Sequence, residues 1–307
     1  LLRGGVGLFT GQAPFVWLSN AYNNTGMEAK SISVNNPANT AGFKFTSTPY
    51  EDLVKTGVFK ASGSGATINT MNEKFKYPQT FRVNLGYDQN LGNGFKFTFD
   101  GLFSKTLNNV MFTNLAISSN AKVYAVNPAV AASNPESAAA PYYTIDSGDY
   151  YAIVALTNTS AGYTYSLSGK LEKHFDWGLD LMGAYTFGHS YSVNDGTSSV
   201  AYSNWKYNYA VDTNSGKELA FSMFDRPHRI IAMASYTSPV YARLMSTNVS
   251  LTYEGQSGQR YCYTYSEDAD FNGDGQKGNS LMYIPTVNEI GYMSWASAED
   301  AQKFENF

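Results

Sequence analysis

The sequence of 307 residues predicts an all-β protein, namely a portion of an antiparallel transmembrane β-barrel with long extracellular loops. Three observations support this prediction: a strand-forming composition, a repeated hairpin pattern, and unequal loop lengths. Aromatic residues make up 15% of the chain, with 24 Tyr and 19 Phe, and charged residues make up only 15%. Aromatic residues favour strands, whereas Gly, Asn and Ser favour turns.

The first predicted strand covers Leu1 to Thr10, and the first hairpin follows in the stretch TFRVNLGYDQNLGNGFKFTFDGLF. A period of two places alternate residues on opposite faces of a strand. The apolar face of this hairpin carries Phe81, Val83, Leu85, Tyr87, Phe95, Phe97, Phe99 and Phe103. The other face is polar, with Arg82, Lys96 and Asp100 among its residues. A Gly-rich turn at residues 89–94 separates the two strands.

Two further hairpins repeat this alternation. The apolar residues of the second are Tyr163, Tyr165, Leu167, Leu171, Leu179, Leu181, Tyr185 and Phe187, with a turn near residues 174–178. Those of the third are Ile230, Ala232, Ala234, Tyr236, Met245, Val249, Leu251 and Tyr253, with a turn around residues 238–242. The polar face of the third hairpin is less regular, because Ile231 and Met233 fall on it.

The connections are short at one end of the hairpins and long at the other. The long segments are roughly residues 11–77, 116–161, 192–225 and 266–307. Several structureless loops of this length are unusual in a compact soluble domain, whereas outer-membrane barrels combine short periplasmic turns with long extracellular loops. Bacterial barrels have an even number of strands, so about seven strands indicate part of a larger barrel. We therefore expect further strands before Leu1 and after Phe307.

The alternative fold is a soluble β-sandwich, whose inner faces alternate in the same way. The loop asymmetry favours the membrane barrel, and the aromatic residues near the short turns suit an interfacial girdle. The net charge of -4 offers no basic surface for nucleic acid. The sequence contains no apolar run of about 18 residues, so no transmembrane helix is predicted. The single cysteine, Cys262, excludes an intrachain disulfide.

The segment SEDADFNGDGQKGNSL has the spacing of a calcium loop. Asp268, Asp270, Asn272, Gly273 and Asp274 match its positions one, three, five, six and seven. The candidate metal ligands are therefore Asp268, Asp270, Asn272, Asp274 and Gln276. Position twelve is Asn279 instead of the bidentate glutamate, so a solvated acidic turn is the alternative interpretation. If Ca²⁺ binds, its expected role is to stiffen an extracellular loop; no other cofactor is expected.

The stretch FDRPHRI, residues 224–230, brings Asp225 close in sequence to His228. We interpret it as the start of a strand with its charges at a polar rim, since Pro227 is tolerated at such a position. No partnered nucleophile motif occurs in the sequence. The sequence therefore predicts no catalytic residue, and the protein is not expected to be an enzyme.

Three stretches point to a known family: RGGVGLFTGQAPFVWLSNAYNNTG, FDRPHRI, and DFNGDGQKGNSLMYIP followed by an expected helix in AEDAQKFENF, with Ser297 as its N-cap. They resemble TonB-dependent outer-membrane receptors of Bacteroidota. The most similar branch is the Oar-like one, which carries a carboxypeptidase-regulatory-like domain, and the SusC/RagA importers are more distant. The resemblance implies a barrel of about 22 strands around an N-terminal plug. Residues 1–307 would then be part of the C-terminal barrel, without the plug, the N-terminal domain and the closing strand.

The resemblance also implies a function and partners. The function would be energy-coupled uptake of a large or scarce solute, a peptide or a glycan, across the bacterial outer membrane. The partners would be outer-membrane lipid, the TonB complex acting through the plug, and a surface lipoprotein. Loop aromatics would make the first contact with the solute, with Trp17, Tyr22, Trp205 and Tyr207 as candidates. Two alternatives stay open: a non-transporting structural or adhesive surface protein, and a soluble carbohydrate-binding module.

Overall fold

A computed structural model describes residues 1–23, 47–48, 66–118, 122–125, 139–146, 150–241, 244–265 and 268–306. In chain order the strands are β1 (Leu2–Thr10), β2 (Ala66–Met71), β3 (Gln79–Gly92), β4 (Phe95–Asn114), β5 (Lys122–Ala125), β6 (Ala139–Tyr142), β7 (Tyr150–Thr159), β8 (Tyr163–His174), β9 (Leu179–Ser192), β10 (Ala220–Phe221), β11 (His228–Thr237) and β12 (Asn248–Gln256). The predicted first strand is β1, and the predicted hairpins are β3–β4, β8–β9 and β11–β12.

These predicted strands form one antiparallel sheet in the order β1-β3-β4-β8-β9-β11-β12. The register is regular in the middle of the sheet, so side chains on one face line up in rows across it. One such row runs through Leu2, Tyr87, Phe99, Gly169, Tyr185 and Ile230. The alternation predicted strand by strand therefore combines into two extended faces, one apolar and one polar.

The apolar face contains Phe97 and Leu181 and the residues in register with them, and no element of the described residues covers it. Leu167 is 47% exposed, Leu171 46% and Leu251 74%. A soluble sandwich would bury such side chains beneath a second sheet. An uncovered belt of large apolar side chains on an antiparallel sheet is instead what a hydrocarbon environment requires. The prediction of an antiparallel membrane-barrel sheet is confirmed, and the sandwich alternative is not.

The opposite, polar face carries ion pairs that cross between strands. Arg3 Nε lies 2.9 Å from Asp88 Oδ2, and Arg3 Nη2 lies 2.6 Å from Asp100 Oδ1. Arg229 Nη2 and Glu254 Oε1 lie 2.8 Å apart between β11 and β12. Charged groups of this kind need a hydrated environment, so this face is suited to the wet interior of a barrel.

Short turns close the three hairpins at one end of the sheet. The turn between β3 and β4 is tighter than predicted, because β3 continues through Gly92 and leaves only Asn93 and Gly94 as the connection. These two residues have φ angles of 50° and 76°. Two consecutive left-handed residues define a type I′ turn, which matches the twist of the flanking strands and favours Asn-Gly.

We expect Gly94→Ala to destabilise this hairpin. A Cβ atom at Gly94 would lie 2.2 Å from the carbonyl oxygen of His174, whereas one at Gly92 would have no atom within 4 Å. Both glycines are left-handed, so each substitution carries roughly 1–2 kcal/mol of backbone strain, and only the first adds a clash. Urea unfolding of the folded protein in lipid vesicles measures both losses. Equal losses for Gly94→Ala and the control Gly92→Ala would contradict the clash.

The long connections build a folded cap at the other end of the sheet. β4 has 20 residues, about twice the span needed for a bilayer. It pairs with β8 up to Lys105 and then with β7 from Asn109 to Asn114. β2 adds to β7 in parallel, and two helices, α1 (Phe15–Asn23) and α2 (Ala201–Lys206), contact these strands. We define the cap as the end of β4 together with β2, β7, α1 and α2.

Smaller elements complete the described chain. β5 pairs with β6, and β10 pairs with the end of β9. A 3₁₀ helix at Val287–Tyr292 precedes α3 (Ala298–Glu305). The predicted cap of α3 is confirmed, since Ser297 Oγ accepts a hydrogen bond of 3.1 Å from Asp300 N. Over the described ranges, every helix is too short or too polar to cross a membrane.

The two outer strands of the sheet have one free edge each. Among the described residues, β1 pairs only with β3, and β12 pairs only with β11. The sheet is therefore open. Its free edges present backbone N–H and C=O groups that an apolar environment would leave without partners.

Candidate functional site

The cap has an apolar core of its own. Phe112 of β4, Val154 and Leu156 of β7 and Trp205 of α2 are each at most 2% exposed. Trp17 of α1 meets the ring of Phe112 edge-on, with the ring centroids 5.5 Å apart. Since these side chains come from four separate elements, their packing holds the long connections in a fixed arrangement.

The predicted solute-contacting aromatics occupy two kinds of position in the cap. Trp205 is fully buried and donates a hydrogen bond of 3.1 Å from Nε1 to Asn214 Oδ1, and Trp17 is half-buried. Tyr22 is 69% exposed and Tyr207 57% exposed. In this arrangement only the two tyrosines present most of their surface to solvent. A role of these four residues in binding stays a prediction.

A polar cleft of about 710 Å³ lies beside the apolar core. Its polar lining includes Asn114, Ser118, Tyr143, Asp146, Asp212 and Asn214. Asn214 and Asn114 hold one side of the cleft together: Asn214 Nδ2 donates to Asn114 O at 2.8 Å, and Asn114 N donates to Asn214 Oδ1 at 2.9 Å. The cleft is thus built where the connection between β9 and β11 meets the end of β4.

The cleft is acidic and rich in hydrogen-bonding groups. The Tyr143 hydroxyl donates to Asp212 Oδ1. Burial, and after it this hydrogen bond, raise the pKa of Tyr143, so the phenol stays protonated. Burial also raises the pKa of nearby Glu218, which accepts hydrogen bonds of 3.2 Å from the backbone N–H groups of Asp212 and Val211. Because no Lys or Arg among the described residues lines the cleft, it is suited to neutral or cationic groups such as hydroxyls, amides and amines.

A second polar cluster ties the segment after β12 to the top of β9. Asp225 is 1% exposed; it accepts hydrogen bonds of 2.8 Å from Arg260 Nε and from the Ser190 N–H, and lies 3.2 Å from His189 Nδ1. Burial raises the pKa of Asp225, but the donors together outweigh it and lower the pKa. Sequence reasoning placed these charges at a polar rim, whereas the structure buries Asp225. Its partners lie too far away in the sequence for any local pattern to reveal them.

The predicted metal ligands lie in one loop but differ in exposure. Asp268 and Asp270 are exposed, while Asn272, Asp274 and Gln276 are at most 3% exposed. The loop docks behind the cleft, because Tyr143 N donates a hydrogen bond of 2.7 Å to Asn272 O. Gln276 Nε2 also donates to the Tyr151 hydroxyl at 3.2 Å. The acidic loop therefore supports the Tyr143 wall of the cleft.

These features define a class of protein. An antiparallel sheet with an uncovered apolar belt, a charged opposite face, tight turns at one end and a folded cap at the other is the wall of a membrane β-barrel. Its tight turns are those of the periplasmic side and its cap lies on the extracellular side.

Comparison with known protein families assigns the chain to one of them. The family model described as an outer membrane beta barrel domain matches residues 1–296. The chain belongs to this family, and its location is the bacterial outer membrane. Searches among curated proteins and among solved structures found no match.

Proposed function

We propose that this chain forms part of the barrel wall of a TonB-dependent outer-membrane receptor. Such a receptor takes up a large or scarce solute such as a peptide or a glycan. The observation that carries the proposal is the folded cap, whose polar cleft stands at the extracellular end of a sheet with a charged inner face. A structural wall would not need an acidic, concave site built from two long connections and the end of β4. The cleft and the exposed Tyr22 and Tyr207 supply the hydrogen-bonding and stacking groups of a capture site.

The free edges of the sheet support a larger barrel. In hydrocarbon every backbone N–H and C=O must be paired, so β1 and β12 each require a further neighbour. We propose that residues 1–307 are part of the C-terminal barrel of such a receptor. Barrels of about 22 strands leave a lumen wide enough for a plug. The TonB complex would act through that plug, and a surface lipoprotein would be the partner at the cap.

Uptake by intact cells tests this function. Cells with the full-length protein and cells that lack it are given fluorescently labelled oligopeptides or oligosaccharides, with the TonB complex present or inactivated. We expect uptake of one of the two solute classes to require both the protein and the TonB complex. Uptake that is unchanged without the protein would overturn the transport proposal and favour the structural or adhesive alternative. Uptake that requires the protein but not TonB would indicate a passive channel and overturn the energy-coupled part.

The cap itself provides a second arm of the test. Deletion of residues 11–77 removes α1 and β2, together with residues outside the described ranges. We expect this deletion to abolish uptake while the barrel still assembles, as judged by its heat-modifiable mobility on a gel. Normal uptake by the deleted protein would rule out a role of this connection in solute capture.

A further inference from the structure

The acidic loop has the backbone turn of a calcium loop, beginning at Asp270. Asp270 Oδ1 accepts a hydrogen bond of 2.8 Å from Gly273 N, and Oδ2 accepts one of 2.9 Å from Gly275 N. Gly275 has a φ of 83°. Asp270, Asn272, Asp274 and Gly275 thereby occupy positions one, three, five and six of the pattern. This register begins two residues later than the one predicted from Asp268.

Asp274 is a buried carboxylate without a cationic partner in the described chain. It is 1% exposed, and no Lys, Arg or His of the ranges listed above forms an ion pair with it. Its hydrogen-bond donors are Gln276 N, Asn272 Nδ2 and Asn279 Nδ2, at 2.8, 3.3 and 2.8 Å. Burial of a carboxylate without a cation nearby is costly, because the charge is removed from water. A cation in the loop would remove this penalty.

Asn279 supplies the independent observation that points to a ligand. Its side chain is 1% exposed and directed at Asp274, yet its Oδ1 atom has no hydrogen-bond partner among the described residues. A buried oxygen left unpaired beside a buried carboxylate is destabilising unless something binds it. Because Oδ1 belongs to the same amide group as the Nδ2 that donates to Asp274, an ion bound to Oδ1 would lie next to the Asp274 carboxylate. Hard oxygen atoms grouped in this way are the ligands that Ca²⁺ prefers.

We propose that the loop from Asp270 to Asn279 binds one calcium ion through the side-chain oxygens of Asp270, Asn272, Asp274 and Asn279. In the described part of the chain, no three His, Cys, Asp or Glu side chains converge on a single point. The site therefore relies on two carboxylates and amide oxygens. A small ligand charge places its dissociation constant on the order of 10⁻⁴–10⁻³ M, the range of extracellular calcium modules. Since Asn272 O accepts from Tyr143 N, the bound ion would stiffen one wall of the cleft.

Calcium titration of the full-length protein in detergent, after removal of metal with a chelator, tests the site. CaCl₂ is titrated by calorimetry, with MgCl₂ as the comparison ion. We expect saturable binding of one Ca²⁺ and at least about tenfold weaker Mg²⁺ binding, because Mg²⁺ demands a stricter octahedral geometry. Limited proteolysis gives a second readout: cleavage of residues 257–296 should slow in calcium.

Three variants make the test specific. Asp274→Asn should weaken Ca²⁺ binding by about tenfold or more, and Asn279→Asp should tighten it, because it replaces the unpaired amide oxygen by a carboxylate. Glu299→Gln removes one exposed charge from α3 and should leave binding unchanged. No saturable binding up to millimolar Ca²⁺, or unchanged affinity in both loop variants, would overturn the site. This outcome does not depend on uptake, so the calcium proposal and the transport proposal fail separately.

Discussion

Replacing Leu167 by arginine is expected to prevent stable insertion of the protein into the outer membrane. Leu167 lies near the middle of β8 on the apolar face of the sheet and is 47% exposed. An arginine on the lipid face near the bilayer midplane costs about 2–4 kcal/mol. We expect less protein in the outer-membrane fraction and loss of the heat-modifiable folded band.

The adjacent residue provides the matched control. Ser168 lies on the polar face, opposite Asp100 of β4, and its hydroxyl is 2.8 Å from the Thr186 hydroxyl. Ser168→Arg introduces the same side chain one position further along, beside a carboxylate and facing water. It should assemble nearly as well as the unchanged protein. Equal assembly of the two variants, or a stronger defect for Ser168→Arg, would show that the faces are assigned to the wrong sides.

Replacing Trp205 by alanine is expected to loosen the cap without preventing barrel assembly. Trp205 is fully buried against β4 and β7, and its indole nitrogen is bonded to Asn214 on one side of the cleft. Removal of a buried tryptophan side chain costs about 3–5 kcal/mol. The apolar contacts of the cap lie outside the predicted membrane span, so the loss should appear as local opening. Faster proteolysis of the extracellular connections in intact cells would measure it.

Tyr207→Ala is the control for this effect. Tyr207 lies two residues further along and is 57% exposed, so its removal takes little apolar surface out of the core. We expect proteolysis of the cap to change little in this variant. If Trp205→Ala left the cap as resistant as Tyr207→Ala does, the cap would not depend on the core described for it. Solute uptake by the Tyr207 variant would also test the predicted contact role of that residue.

The sheet was predictable from the sequence, because its pattern is local. Alternation such as that of Phe95, Phe97 and Phe99 with Lys96 and Thr98 requires only neighbouring residues, and short Gly-containing turns mark the ends of the strands. The order of strands followed as well, since successive hairpins pair with their neighbours. The details of the turns were less accurate: the first turn begins at Asn93, four residues later than predicted, because β3 continues through Gly92.

The cap was not predictable in the same way, because its contacts join distant parts of the chain. Asn114 and Asn214, which brace the cleft, are separated by 100 residues. β2 pairs with β7 in parallel, although the whole first hairpin lies between them in the sequence. The alternation of apolar and polar residues within a strand does not predict such a pairing. The acidic loop was recognised from its composition, but its register depended on which aspartate accepts the backbone N–H groups.

β4 is long enough to belong to both the barrel wall and the cap. Backbone pairing accompanies β4 from the tight Asn93–Gly94 turn to Asn114 at the cleft, with a register shift where Thr106 and Asn108 pair with Thr80 and Gln79. A molecule that binds the cap would therefore act on the barrel wall through this strand, and not through an unstructured linker. Because β4 changes partner from β8 to β7 between Lys105 and Asn109, a movement of the cap relative to the wall would bend β4 at this point.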